Sequence, residues 1–178
     1  MSVAEAGGPL LGAPARATEA LGRVLPMIEQ AVTDPAVSGM GYLAIVVLTP
    51  MPASERARFE DAVVLEHAIG DRTAWDVDYL AFARAKARLC WEHGCDGRTL
   101  LQTMPHRVRS GDSLLIGAVH LDGLVVAVSG AHPWYDEAFA WALATMIRAL
   151  AHRDLDALAQ AGAHTAPQAQ TGPLQRSP

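Results

Sequence analysis

SLLIGAVHLDGLVVAVSGAHPWYDEAFAWALATMI, residues 113–147, decides the fold. Two apolar runs, 113–120 and 124–128, flank Asp122-Gly123, a dipeptide suited to the two-residue turn of a β-hairpin. The second run breaks at Ser129-Gly130, passes through Ala131-His132-Pro133 and becomes a helix over residues 134–151. Pro133 suits a first helical turn, where its missing N–H would have had no partner. Asp136 and Glu137 then lie favourably against the positive end of the helix dipole. Phe139, Leu143, Met146, Ile147 and Leu150 recur at helical spacing and form the buried stripe. A strand pair that feeds directly into an amphipathic helix is the unit from which the rest is read.

The same unit is expected upstream. Residues 42–48 are apolar on both faces, which places that strand centrally in a sheet. Prolines 50 and 52 end it, and a polar segment over 53–60 leads to a second strand over 61–69, with Val63, Leu65, His67 and Ile69 on one face. Helices are expected over 15–32, where Pro26 should kink the chain, and over 75–93, started by Asp71 or Thr73 and ended by Gly94. Residues 98–109 form a connector that can hold a short helix at 99–103. Helix, paired strands, helix, paired strands, helix is an α+β order, so the expected fold is a profilin-like or PAS-like sandwich with a central antiparallel sheet covered by helices. Residues 14–157 make one domain, between a flexible arm at 1–13 and a disordered tail at 158–178 rich in Gln, Ala, Pro and Thr.

Composition narrows the function. Of 178 residues, 51% are hydrophobic, enough for a substantial core, yet no apolar run approaches bilayer-spanning length. A net charge of −5 without a basic run disfavours nucleic acid and anionic membrane as partners. The first residues carry no basic group before their short apolar patch, so no secretory signal is expected. Two cysteines five apart make no disulfide scaffold, which points to a reducing cytoplasm.

Several side chains have the chemistry of a site, and each also has a plain structural reading. His132, Trp134 and Tyr135 stand at the strand-to-helix junction, and helix-start geometry accounts for neither the histidine nor the aromatic pair. His67 shares a strand face with apolar residues, as a core histidine or as a ligand to haem iron or another metal. Lys86, the one lysine among 14 basic residues, aligns on its helix with Phe82, Cys90 and His93. It either snorkels at the edge of an apolar stripe or offers a cation to a carboxylate. Cys90, His93 and Cys95 are too few for a structural zinc site, and Gly94 breaks the helix between them. Arg98, His106, Arg107 and Arg109 make the connector the most basic region, solvated or able to grip an anionic ligand.

FARAKARLCWEHG at 82–94 and LLIGAVHLDGLVVAVSGAHPWYDEAFAWAL at 114–143 resemble the GlcG/HbpS family, often described as haem-binding or haem-degrading. The shared positions are Ala83, Lys86 and Ala87 on a helix, Gly94 at its end, Val128-Ser129-Gly130 after a hairpin, and Asp136. EHAIGD at 66–71 with Trp75 is similar to a sister branch of that superfamily. The resemblance covers roughly residues 15–150 and implies a profilin-like sandwich, a homo-oligomer and, for some members, haem. Departures include the absence of a histidine from the N-terminal helix and an insertion at 50–60.

The first expectation is therefore a cytoplasmic small-molecule-binding protein with a pocket between the sheet and the second helix. Its expected ligand is haem or a small planar or anionic molecule; as an axial ligand to haem, His67 is the first choice and His132 the second. Lys86, Arg98 and Arg107 would meet carboxylates, and Trp134 and Tyr135 would line the ligand. An alternative is a small cofactor-independent enzyme in which His132 or His67 is the general base and Asp136 or Lys86 orients substrate. A further alternative is an oligomeric interaction module anchored by Trp134 and Tyr135.

Overall fold

The computed structural model describes residues 14–50 and 58–162. The expected arm at 1–13, most of the insertion, and the tail beyond 162 lie outside the described residues. The elements run α1 (Pro14–Ala31), β1 (Leu43–Leu48), α2 (Phe59–Ala62), β2 (Val63–Ile69), α3 (Tyr79–His93), α4 (Gly97–Thr103), β3 (Ala118–Leu121), β4 (Leu124–Ser129) and α5 (Pro133–Gln160). Short 3-10 turns stand at Arg72–Ala74 and Pro105–Arg107. The four strands form one antiparallel sheet in the order β2-β1-β4-β3, so the two apolar strands are central, as their patterning requires.

Strand alternation sorts the sheet residues into two layers. Leu43, Ile45 and Val47 of β1 join Val126 and Val128 of β4 beneath α1 and α5, where Leu21, Val24, Ile28, Phe139, Leu143 and Ile147 are buried. Ala44, Val46 and Leu48 join Val125, Ala127 and Ala118 beneath α3, which presents Ala83, Ala87 and Cys90. The result is the expected α+β sandwich, with helices on both faces of a central antiparallel sheet. Alanine on both sides of the α3 contact lets that helix approach the sheet closely.

Four local differences from expectation have physical causes. A bulge lies opposite Val47/Leu48: Val47 pairs with Leu65 but Leu48 with Val63, so Val63 turns to the α3 layer while Leu65 and His67 face α1 and α5. The helix expected from 75 starts at Tyr79, because Asp78 accepts from Ala81 N at 2.9 Å, whereas Asp71 caps the preceding 3-10 turn. The strand expected from 113 starts at Ala118, since Gly117 adopts φ 128° and only β4 is available to pair with this edge. Helix α5 runs nine residues past the expected 151, through the expected domain boundary at 157 to Gln160. It is held against α1 by Arg16–Asp154 at 2.6 Å and Arg153–Glu19 at 2.7 Å.

Candidate functional site

Lys86 and Asp136 meet inside the protein, fifty residues apart in sequence. Lys86 Nζ donates to Asp136 Oδ2 at 2.8 Å and to the Val128 carbonyl at 2.9 Å. Asp136 Oδ1 accepts from Ala131 N at 2.9 Å, and the Gly130 N–H also stabilises its charge. Both side chains are only 3% exposed. The pair thus ties the middle of α3 to the first turn of α5 across the end of β4.

Two glycines make the junction sterically possible. A Cβ on Gly117 would stand 2.6 Å from Asp136 Cβ, 2.8 Å from the Val128 carbonyl and 3.0 Å from Lys86 Nζ. A Cβ on Gly130 would stand 2.2 Å from the Tyr42 carbonyl. Burial pushes the Asp136 carboxyl up to about 6, against the lowering pull of Lys86. Burial likewise lowers Lys86 below the usual lysine range, against the raising pull of Asp136. Desolvation therefore acts on both partners toward neutrality, as it does on ions withdrawn from water. Each group is nonetheless satisfied by the other and by backbone. This pair is a brace, and a substrate cannot touch it while the structure stays closed.

The other expected residues separate around that brace. His132 precedes α5 at the surface, where its ring stacks on Trp134 with centroids 5.1 Å apart and planes 17° apart. Trp134 is 59% exposed, while Tyr135 leans on Phe139. Asp136 and Lys86 are committed to each other, so the arrangement in which they orient substrate for a His132 base is not assembled. Arg98, expected to hold a ligand carboxylate, forms a two-point pair with Glu137 at 2.6 and 2.9 Å and fastens α4 to α5. Arg107 is exposed in the 3-10 turn after α4.

His67 lies opposite Ile45 on the edge strand β2, on the α1/α5 side. Lys86 belongs to α3, on the other side of the sheet. The pocket expected between the sheet and that helix, with His67 on haem iron and Lys86 and Arg98 on its carboxylates, is therefore not formed by these residues. They do not fit haem as one site.

A different group of side chains does converge. The C-terminal end of α3 and the β3–β4 hairpin enclose an open cleft of about 480 Å³. Trp91, Glu92, His93, Arg109 and His120 line it. His120 is opposite Val125, hence on the α3 side, and its backbone N–H donates to Asp96 Oδ1 at 2.6 Å. His93 Nε2 is shielded from solvent and has no hydrogen-bond partner among the described residues. Trp91 is fixed edge-on against Phe59. Arg109 reaches Glu92 at 3.9 Å, the outer limit of an ion pair. The cleft's size falls in the range of small-molecule sites.

His93 and Arg109 were visible as polar residues in the sequence, but the cleft was missed. Its parts come from a helix end, a connector and a hairpin, and no spacing joins them. Cys90 nearby is fully buried, and burial pushes its thiol up to about 12, so it is an inert packing residue.

Fold and geometry together define an α+β sandwich domain with a sealed ionic brace and an open polar cleft. No protein-family model matches the chain, and no curated protein matches it. Among the described residues no helix is long and apolar enough to cross a membrane.

Proposed function

We propose that the chain is a small-molecule-binding domain of the GlcG/HbpS type, and that its ligand occupies the cleft between the end of α3 and the β3–β4 hairpin. The observation that carries this reading is the cleft itself: about 480 Å³, open to solvent, with two histidines, an arginine, a carboxylate and an indole on its walls. A binding role fits better than the expected catalysis because Lys86 and Asp136, expected to orient a substrate for a histidine base, are spent on each other out of reach. Homo-oligomerisation belongs to the same proposal. Trp134, Leu114 and Leu115, at 59%, 69% and 45% exposure, are apolar surface that a second copy would cover.

The test is a titration of the full chain with hemin, phenylalanine, 2-phenylethylamine and 3-phenylpropanoate, followed by amide NMR shifts. The expected result is saturable binding by at least one probe, with shifts centred on residues 91–94, 109 and 120–123. Saturable binding centred on His67 or on 132–135 would overturn the cleft assignment. Saturation by none of the four would overturn the binding role.

A further inference from the structure

The lining of the cleft carries both signs of charge. One wall is the last turn of α3, with Glu92, His93 and the indole of Trp91. The carbonyls of Trp91, Glu92 and His93 accept no backbone N–H among the described residues, and a helix C-terminus carries partial negative charge. A carboxylate beside the negative end of a helix and an indole are together surroundings that favour an ammonium group. The positive charge is Arg109, brought in by the connector before β3.

Arg109 and Glu92 touch only at 3.9 Å, with side chains 74% and 33% exposed. Two arginines elsewhere in the fold make much closer pairs. Arg98 holds Glu137 at 2.6 Å, and Arg153 holds Glu19 at 2.7 Å. A one-point contact at this distance is weak in water and costs little to open. A molecule carrying both charges would replace it with two better contacts, its ammonium on Glu92 and the α3 terminus and its carboxylate on the Arg109 fork.

From this we infer that the cleft takes a zwitterionic amino compound, of the α-amino-acid class, rather than a simple anion or a simple cation. This rests on the binding role proposed for the same cleft. An anion alone would lie against Glu92 and the negative end of α3, and a cation alone would compete with Arg109 for Glu92.

Phenylalanine, 2-phenylethylamine and 3-phenylpropanoate share a skeleton and differ in charge, so their calorimetric affinities for the full chain separate the possibilities. Phenylalanine should bind roughly 10- to 100-fold tighter than either single-charge relative, the value expected for one charge-assisted contact. Arg109→Gln should bring phenylalanine down to the level of the amine, and Glu92→Gln should bring it down to the level of the acid. Both side chains are at the surface, so neither change should prevent folding. If 3-phenylpropanoate or 2-phenylethylamine binds in the cleft as tightly as phenylalanine, the inference is wrong and the binding role stands. If none of the three binds while hemin binds in the cleft, the inference falls alone. If nothing saturates, both fall.

Discussion

Lys86 and Asp136 were each legible as unusual residues, one the sole lysine and the other a carboxylate in a helix first turn. Their partnership was not, because helical spacing relates neighbours on one element and these two are joined only by the way α3 and α5 meet across the sheet. A lysine able to snorkel and a lysine buried against a carboxylate look identical in sequence. Gly117 is the residue that permits the second outcome. Its missing side chain leaves room for Asp136 Cβ, the Val128 carbonyl and Lys86 Nζ, and its φ of 128° is strained for any L residue. Gly117→Ala should therefore cost about 2–4 kcal/mol, combining backbone strain with overpacking. Urea denaturation checks this, and the variant should show a lower midpoint with an unchanged slope.

At the scale of elements, the pairing of α1 with α5 combines an apolar stripe with an ionic clamp. The Arg153 guanidinium, with Arg23 beside it, holds the Glu19 carboxyl down at about 2, below its ordinary 4.5. A carboxyl whose folded pKa is depressed contributes stability that is fully present above the ordinary value and is lost as pH falls toward the folded one. The contribution of Glu19 should thus fade between about pH 4.5 and pH 2. Thermal midpoints of wild type and Glu19→Gln should accordingly draw together across that interval. A constant gap between them down to pH 2 would show that this clamp carries no proton linkage.

Element type was largely readable. Asp122-Gly123 specified the hairpin, and both residues adopt positive φ, 54° and 88°, as its tight turn needs. Pro133 marked the start of α5. The bulge at Val63–Leu65 was not readable, because two residues facing one is a property of the pairing between strands rather than of either strand. It sends Val63 to one layer and leaves His67 in the other. The reach of α5 beyond 151 was hidden for a related reason: the polar sequence there reads as an ending until Arg16 supplies Asp154 with a partner.

For the whole molecule, the two layers divide the labour. The α1/α5 layer supplies the larger core, and the α3 layer holds both the brace and, at its far end, the cleft. The brace makes the angle between α3 and α5 a fixed feature of the fold, which leaves ligand recognition to the α3 terminus and the hairpin. On this account the most distinctive ionisable pair in the chain is structural, and the binding chemistry lies elsewhere.

The most direct test of that division is a double-mutant cycle on Lys86→Met and Asp136→Asn, read by urea denaturation of wild type, both single variants and the pair. Removing one partner strands a buried charge, so each single change should cost about 3–5 kcal/mol. The double variant should lose no more than the worse single one, giving a coupling of several kcal/mol. Single variants within about 0.5 kcal/mol of wild type, or a double variant equal to the sum of the two, would contradict the brace and return Lys86 and Asp136 to the list of candidate reactive groups.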